Sequence, residues 1–173
     1  GKSPLPYGMT GEEPVFDRAT ALAKGLFGGG LSAVVMVDEG RIIRSIGADA
    51  RNHAHDPDSV RVIVSGEPTW IADLRADPET AGHPFVTPEG GIRFFAAAPV
   101  RLPGGEVLGA LSVVGFQTRP RDEALLTNLC RLADMIADEC ARAQAREQLA
   151  ERERVLDQTR RRLSALMETS PLS

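Results

Sequence analysis

Two apolar runs, Phe94 to Arg101 and Val107 to Gly115, flank the short polar-and-glycine stretch Leu102-Pro103-Gly104-Gly105. Proline fixes φ early in a turn and glycine accepts φ > 0, so the two runs are predicted to be antiparallel strands of one hairpin. Leu108, Ala110 and Val114 fall on one face of the second strand, and Val107, Leu111 and Val113 on the other. With neither face polar, the hairpin is expected at the centre of a sheet covered on both sides. Small residues at Ala96, Ala97, Ala98, Gly109, Ala110 and Ser112 leave room for a helix or a ligand to approach the backbone.

The same pattern analysis extends to the rest of the chain. Between Glu13 and Phe27, apolar residues recur at i, i+3, i+4 and i+7 (Val15, Phe16, Ala19, Leu22, Ala23, Leu26), which predicts an amphipathic helix ended by Gly28-Gly29-Gly30. Leu31 to Val37 reads as a buried strand, turned by Asp38-Glu39-Gly40 into Arg41 to Gly47, a strand nearer the sheet edge. The stretch from Ala48 to Asp58 has no apolar residue larger than alanine and reads as a solvated loop. Ser59 to Ser65 reads as a short helix capped by Ser59, and Trp70 to Ala72 as a short strand. The Asp/Pro/Gly-rich segment 73–91 is expected to be functional or partly helical. From Asp122 onward there is no glycine and only Pro171 near the end, which predicts one long helix.

Composition narrows the classes. A chain of 173 residues, 42% hydrophobic, holds one sizeable core plus an appendage. A formal net charge of −4 argues against a nucleic-acid partner. The longest apolar runs fall well short of the ~20 residues a membrane span needs, and no signal-peptide pattern opens the chain, so a cytoplasmic location is expected. Cys130 and Cys140, ten residues apart on one predicted helix, lie about 15 Å apart and cannot pair within the chain. No nucleophile elbow, phosphate-binding loop, His-Glu-x-x-His or Cys-x-x-Cys motif is present, so no catalytic role is expected. His53 and His55 could ligate a metal, but no cysteine or third histidine neighbours them, and a hydrophilic loop explains them better.

Arg93-Phe94-Phe95, the small residues after it, Pro99-Val100, the Pro-Gly-Gly turn and Leu108-Gly109-Ala110-Leu111-Ser112-Val113 resemble the closing half of a GAF domain, a small-molecule sensory module of signalling proteins. Trp70 to Pro78, Gly82 to Val86 and Thr118 to Arg121 extend the resemblance, which covers roughly Glu13 to Ala143. It is most similar to the GAF domains that open bacterial cyclic-di-nucleotide (GGDEF/EAL) enzymes and hybrid histidine kinases. The resemblance implies an α/β (α+β) fold: a mainly antiparallel sheet of five or six strands, helices packed on one face, and a long C-terminal helix. It also implies a ligand cleft between the sheet and segment 73–91. There Trp70, Phe85, Phe94 and Phe95 would supply aromatic walls, and Arg93 and Asp73 polar anchors. The alternative is that these aromatics are plain core and that Arg93 pairs with Asp73 or Asp77. Asp58-Ser59-Val60-Arg61 stands where related domains carry a thiol, so no covalent bilin is expected, and haem on His83 is disfavoured against a surface Gly-His-Pro turn.

A heptad can be laid from Ala145 onward, with Leu149, Leu156 and Leu163 at a, and Ala145, Arg152, Thr159 and Leu166 at d. Its poor d positions suggest that it leans on Leu125, Leu129, Leu132, Ile136 and Cys140 for a homodimer interface. The expected organisation is a linker at 1–12, a GAF domain at 13–143, a signalling helix at 144–168, and the start of a following PAS domain at 169–173. Two functions fit this plan: a sensor relaying a signal through a dimeric helix to an output domain, or a ligand-free structural dimerisation module.

Overall fold

A computed structural model describes residues 9–38, 41–50 and 58–169. The first eight residues of the expected linker, the Glu39-Gly40 turn, His53 and His55, and residues 170–173 of the expected following domain lie outside the described residues. The elements are α1 (Pro14–Phe27), β1 (Leu31–Asp38), β2 (Arg41–Ile46), α2 (Ser59–Ser65), β3 (Thr69–Ile71), β4 (Phe94–Arg101), β5 (Val107–Gly115) and α3 (Glu123–Thr169). The strands form one sheet in the order β2-β1-β5-β4-β3, with every neighbouring pair antiparallel.

The hairpin β4–β5 occupies the interior of the sheet, and β2 is an edge. Gly105 takes φ 97 at the hairpin turn and donates its N–H to the Leu102 carbonyl at 2.8 Å. Gly28 caps α1 in the left-handed region, φ 72, with its N–H on the Gly25 carbonyl. Part of the small-residue pattern serves strand packing. A Cβ on Gly109 would stand 2.5 Å from the Val35 carbonyl oxygen and 2.8 Å from the Met36 sulfur, so that glycine lets β1 lie close.

One face of the sheet carries the larger core. Phe16, Ala19, Ala23 and Phe27 of α1, with Leu126, Leu129, Ala133 and Ile136 of α3, pack on Val34, Phe94, Ala96, Ala98, Leu111 and Val113. The opposite face, expected to be left to loops, also carries α2. Val62 of α2 joins Leu74, Val86 and Ile92 over Phe95, Ala97, Ala110 and Val114. Leu108 does not share a face with Ala110 and Val114 as strict alternation predicts. The register slips between Val100 and Arg101, and Leu108 packs against the helical core instead.

One further expectation is corrected, and two segments are specified further. The residue capping α2 is Asp58, without a side-chain cap hydrogen bond, and Ser59 is the first helical residue. Segment 73–91 contains no helix but a chain of turns, closed by Thr80 N–H to the Asp77 carbonyl, Val86 N–H to His83 and Gly91 N–H to Pro88. The last residues before α1 are docked: Met9 is 8% exposed within the helical core, and Glu13 accepts the amide N–H groups of Thr10 and Gly11. Burial pushes the Glu13 carboxyl up, but the backbone amides of Thr10, Glu13 and Gly11 outweigh it and hold the carboxyl below its ordinary value.

Helix α3 is 47 residues long, about 70 Å at 1.5 Å per residue. Asp122 starts it by accepting the Leu125 N–H at 3.1 Å. Leu126, Leu129, Leu132, Ile136, Cys140 and Ala143 lie on its buried stripe, and every residue from Glu151 to Glu168 is exposed. Among the described residues, no helix is long and apolar enough to cross a membrane.

Candidate functional site

Arg93 organises the cover of the second sheet face. It is 8% exposed and follows Gly90-Gly91-Ile92 at the entry to β4. Its Nη1 donates to the carbonyls of Val86 at 2.6 Å and Ile92 at 3.0 Å, and its Nη2 to that of Pro88 at 2.7 Å. Its main-chain N–H meets the Gly115 carbonyl, and its carbonyl accepts the Leu74 N–H. Gly91 makes room for the fork, since a Cβ there would stand 3.1 Å from Nη1 and 2.5 Å from the Phe85 carbonyl oxygen. A planar five-donor guanidinium suits three converging carbonyls. The side chain therefore ties segment 83–92 to the sheet.

The six residues expected to line one cleft do not come together. Trp70 and Phe94 point to the helical side, where their rings lie 5.0 Å apart and each stands 5.7 Å from Phe27. Phe95, one residue on, points to the other face and is fully buried. The period of two along a strand forces this split of Phe94 from Phe95. Phe85 is 43% exposed, with its ring against His83. Asp73 sits 3.7 Å from Arg75 and Asp77 lies 4.0 Å from Arg61, so the expected partnership of either with Arg93 is not formed. Arg61 also pairs with Asp58 and Glu79, which joins α2 to segment 73–91. His83 accepts the Phe85 amide at Nδ1. Among the described residues, no cluster of His, Cys, Asp or Glu is set to hold a metal ion.

The dimer-helix residues divide in the same way. Leu129, Leu132 and Ile136 are 0%, 7% and 1% exposed, locked into the chain's own core and withheld from a second copy. Leu149, Leu156 and Leu163 are more than half exposed beyond the domain. Cys140 is buried, and its thiol is pushed up to about 11 by burial and by the nearby carboxylates of Glu139 and Glu13. Cys130 is raised by burial and by Asp134.

Arg119 carries a junction that the sequence pattern did not single out. Its N–H donates to the Ala72 carbonyl, its carbonyl accepts the Trp70 indole N–H at 2.9 Å, and its Nη1 donates to the Phe27 carbonyl at 2.6 Å. The guanidinium stands 5.2 Å over the Phe27 ring. This one residue joins β3, the end of α1 and the lead into α3, and it borders a cavity of about 500 Å³ beside Gly28-Gly29-Gly30. A second cavity, about 620 Å³, lies between the hairpin end and α3, with Arg101, Cys130, Asp134 and Asp138 on its wall. The available signal was an arginine between a strand end and a proline, in Thr118-Arg119-Pro120-Arg121.

Known proteins agree with this architecture. The family model described as GAF domain matches residues 12–144. A cyclic di-GMP phosphodiesterase of Pseudomonas aeruginosa is 30% identical over 129 residues, which cover 70% of this chain and 22% of that protein. The chain thus spans about a fifth of the length of that curated relative. Among solved structures, the GAF domain of an Acinetobacter phosphoenolpyruvate-protein phosphotransferase superposes with a TM-score of 0.60 at 17% identity, covering 75% of this chain and 82% of that one. A domain assigned to a two-component sensor histidine kinase of Sinorhizobium meliloti superposes with a TM-score of 0.58 at 15% identity, covering 83% and 99%. With its five-stranded antiparallel sheet, its helical layer of α1 and α3, and the match over residues 12–144, the chain belongs to the GAF domain family.

Proposed function

We propose that the chain is a non-catalytic sensory or regulatory GAF domain of a bacterial signal-transduction protein, relaying a signal through a dimeric α3 to an output domain of the longer protein. The observation that carries this reading is the second half of α3. It leaves the domain as a helix with Leu149, Leu156, Leu163 and Leu166 at least half exposed, at heptad spacing and flanked by the charged pairs Arg154–Glu151 and Arg161–Asp157. Such a stripe matches half of a two-stranded seam. Because Leu129, Leu132 and Ile136 are already used within the chain, the seam rests on the projecting half alone. A seam this weak suits a relay, since coupling energies of about 1–3 kcal/mol suffice to bias it. The relative's cyclic di-GMP phosphodiesterase activity and the histidine kinase among the similar structures support an output of that kind. The ligand side is assigned to the sheet face under α2 and segment 73–93, with Phe95 at its floor.

The filled packing of Leu74, Val86 and Phe95 on that face, and the saturation of Arg93 by carbonyls, favour a second reading: a ligand-free dimerisation module. Both readings require the dimer. Sedimentation of the full chain should give a dimer at high micromolar concentration, and Leu156→Glu with Leu163→Glu should give a folded monomer. A wild-type monomer at that concentration overturns both readings. A metabolite that raises the melting temperature selects the sensor.

A further inference from the structure

Arg119 is partly buried, and among the described residues no carboxylate lies within ion-pair distance of it. Its guanidinium uses Nη1 on the Phe27 carbonyl, which leaves further N–H donors of the five without a protein acceptor among the described residues, and Arg119 lines the 500 Å³ cavity. A half-withdrawn cation without a counter-ion is a standing attraction for an anion, because the charge-assisted bonds it can form are the stronger kind. Arg93 offers no such attraction, since three carbonyls take up its fork.

The rest of the wall suits a small organic ligand. Gly28, Gly29 and Gly30 run with φ 72, 130 and 88, a backbone path that side chains disfavour, and a Cβ at Gly28 or Gly29 would meet nothing within 4 Å. This side of the cavity is therefore bare main chain beside open space. Phe116, just past the end of β5, is 51% exposed at the lip, and Phe27 and Phe94 reach the floor from the helical core. The volume lies within the range of small-molecule sites, which combine apolar walls with a few placed polar groups.

We propose that this cavity binds a small organic anion with a flat ring, its charged end held by Arg119 and its ring against Phe116. The site lies where α1 runs into β1 and β5 leads toward α3, with no residue of α2 or of segment 73–92 in its lining, and it stands or falls independently of the dimer.

The test is amide chemical-shift titration of the full chain with benzoate, which has ring and charge, benzamide, which has the ring alone, and inorganic phosphate, which has charge alone. Benzoate is expected to shift the amides of Gly28 to Gly30 and Phe116 to Arg119 saturably by about 10 mM, with phosphate weaker and benzamide without effect. Arg119→Gln should weaken benzoate at least about tenfold, the scale of one lost charge-assisted contact. Because Arg119 also supports the Phe27 carbonyl, Phe116→Ser, at an exposed position, provides a second variant and should weaken benzoate without altering the fold. No saturable benzoate shift overturns the proposal. So does benzamide or phosphate binding as well as benzoate, or benzoate affinity unchanged in both folded variants.

Discussion

Arg93 ends in a cage of three carbonyl oxygens and is nearly sealed from water, so removing it leaves buried acceptors without donors. A hydrogen bond to a charged group contributes about 1.5–3 kcal/mol, and an orphaned buried group costs about as much. Arg93→Ala is therefore expected to lower unfolding stability by about 2 kcal/mol or more in urea denaturation. A change within about 0.5 kcal/mol, the level of an ordinary surface substitution, would refute the clamp. Cys140 shows residue-level chemistry of another kind. Its folded-state pKa of about 11 lies above the ordinary thiol value of about 8.5. Folding thus favours the protonated thiol, and the associated stability is fully present below the unfolded pKa and is lost as pH rises through the folded one. Between about pH 8 and pH 10 the wild-type chain should lose about 1–2 kcal/mol that Cys140→Ala does not lose, read as the difference of their denaturation curves. Parallel curves would place the thiol outside that linkage.

At the scale of elements, local chemistry was legible in the sequence and choice of partner was not. The bounds of β4 and β5 follow from an apolar run, a Pro-Gly-Gly turn and a second apolar run, all within one short stretch. The bulge that turns Leu108 to the helical side depends on pairing with Val100 and Arg101 and has no local signature. Helix α3 is legible in length because nothing breaks it, but a 3.6-residue period does not say what covers a stripe. Leu129, Leu132 and Ile136 are covered by the chain's own sheet and α1, whereas Leu149, Leu156 and Leu163 extend the helix beyond both. Arg93 was singled out as a polar anchor or the partner of an aspartate, yet its partners are main-chain carbonyls, which every residue carries and no composition reveals. The Arg119 cavity was invisible for a related reason. Its lining comes from residues 27–30, Phe94 and residues 114–119, and only the pairing of β5 with both β1 and β4 brings them together.

Over the whole molecule the two faces of the sheet are unequally covered. The helical side is closed by α1 and the first half of α3, with a continuous core from Met9 to Ala143. The other side is closed by the seven-residue α2 and by segment 73–91, whose hydrogen bonds are mostly its own turns. That cover is held to the sheet by the Arg93 fork, the Leu74 N–H on the Arg93 carbonyl at 2.8 Å, and the apolar contacts of Leu74, Val62 and Val86. Few ties and mostly local bonding are the marks of a region that opens on its own, below the free energy of global unfolding. Native-state hydrogen exchange separates that behaviour from a single cooperative unit. Leu129 stays packed when the cover opens, so Leu129→Ala should lower the protection of β4, β5 and α3 amides by about 2–5 kcal/mol and leave the Thr80 and Val86 amides unchanged. Leu74 loses its contacts in both events, so Leu74→Ala should lower protection in the cover and in the core alike. If Leu129→Ala instead speeds exchange at Thr80 and Val86 as much as in β5, the cover and the core unfold together, and a ligand could reach the inner face of the sheet only through global unfolding.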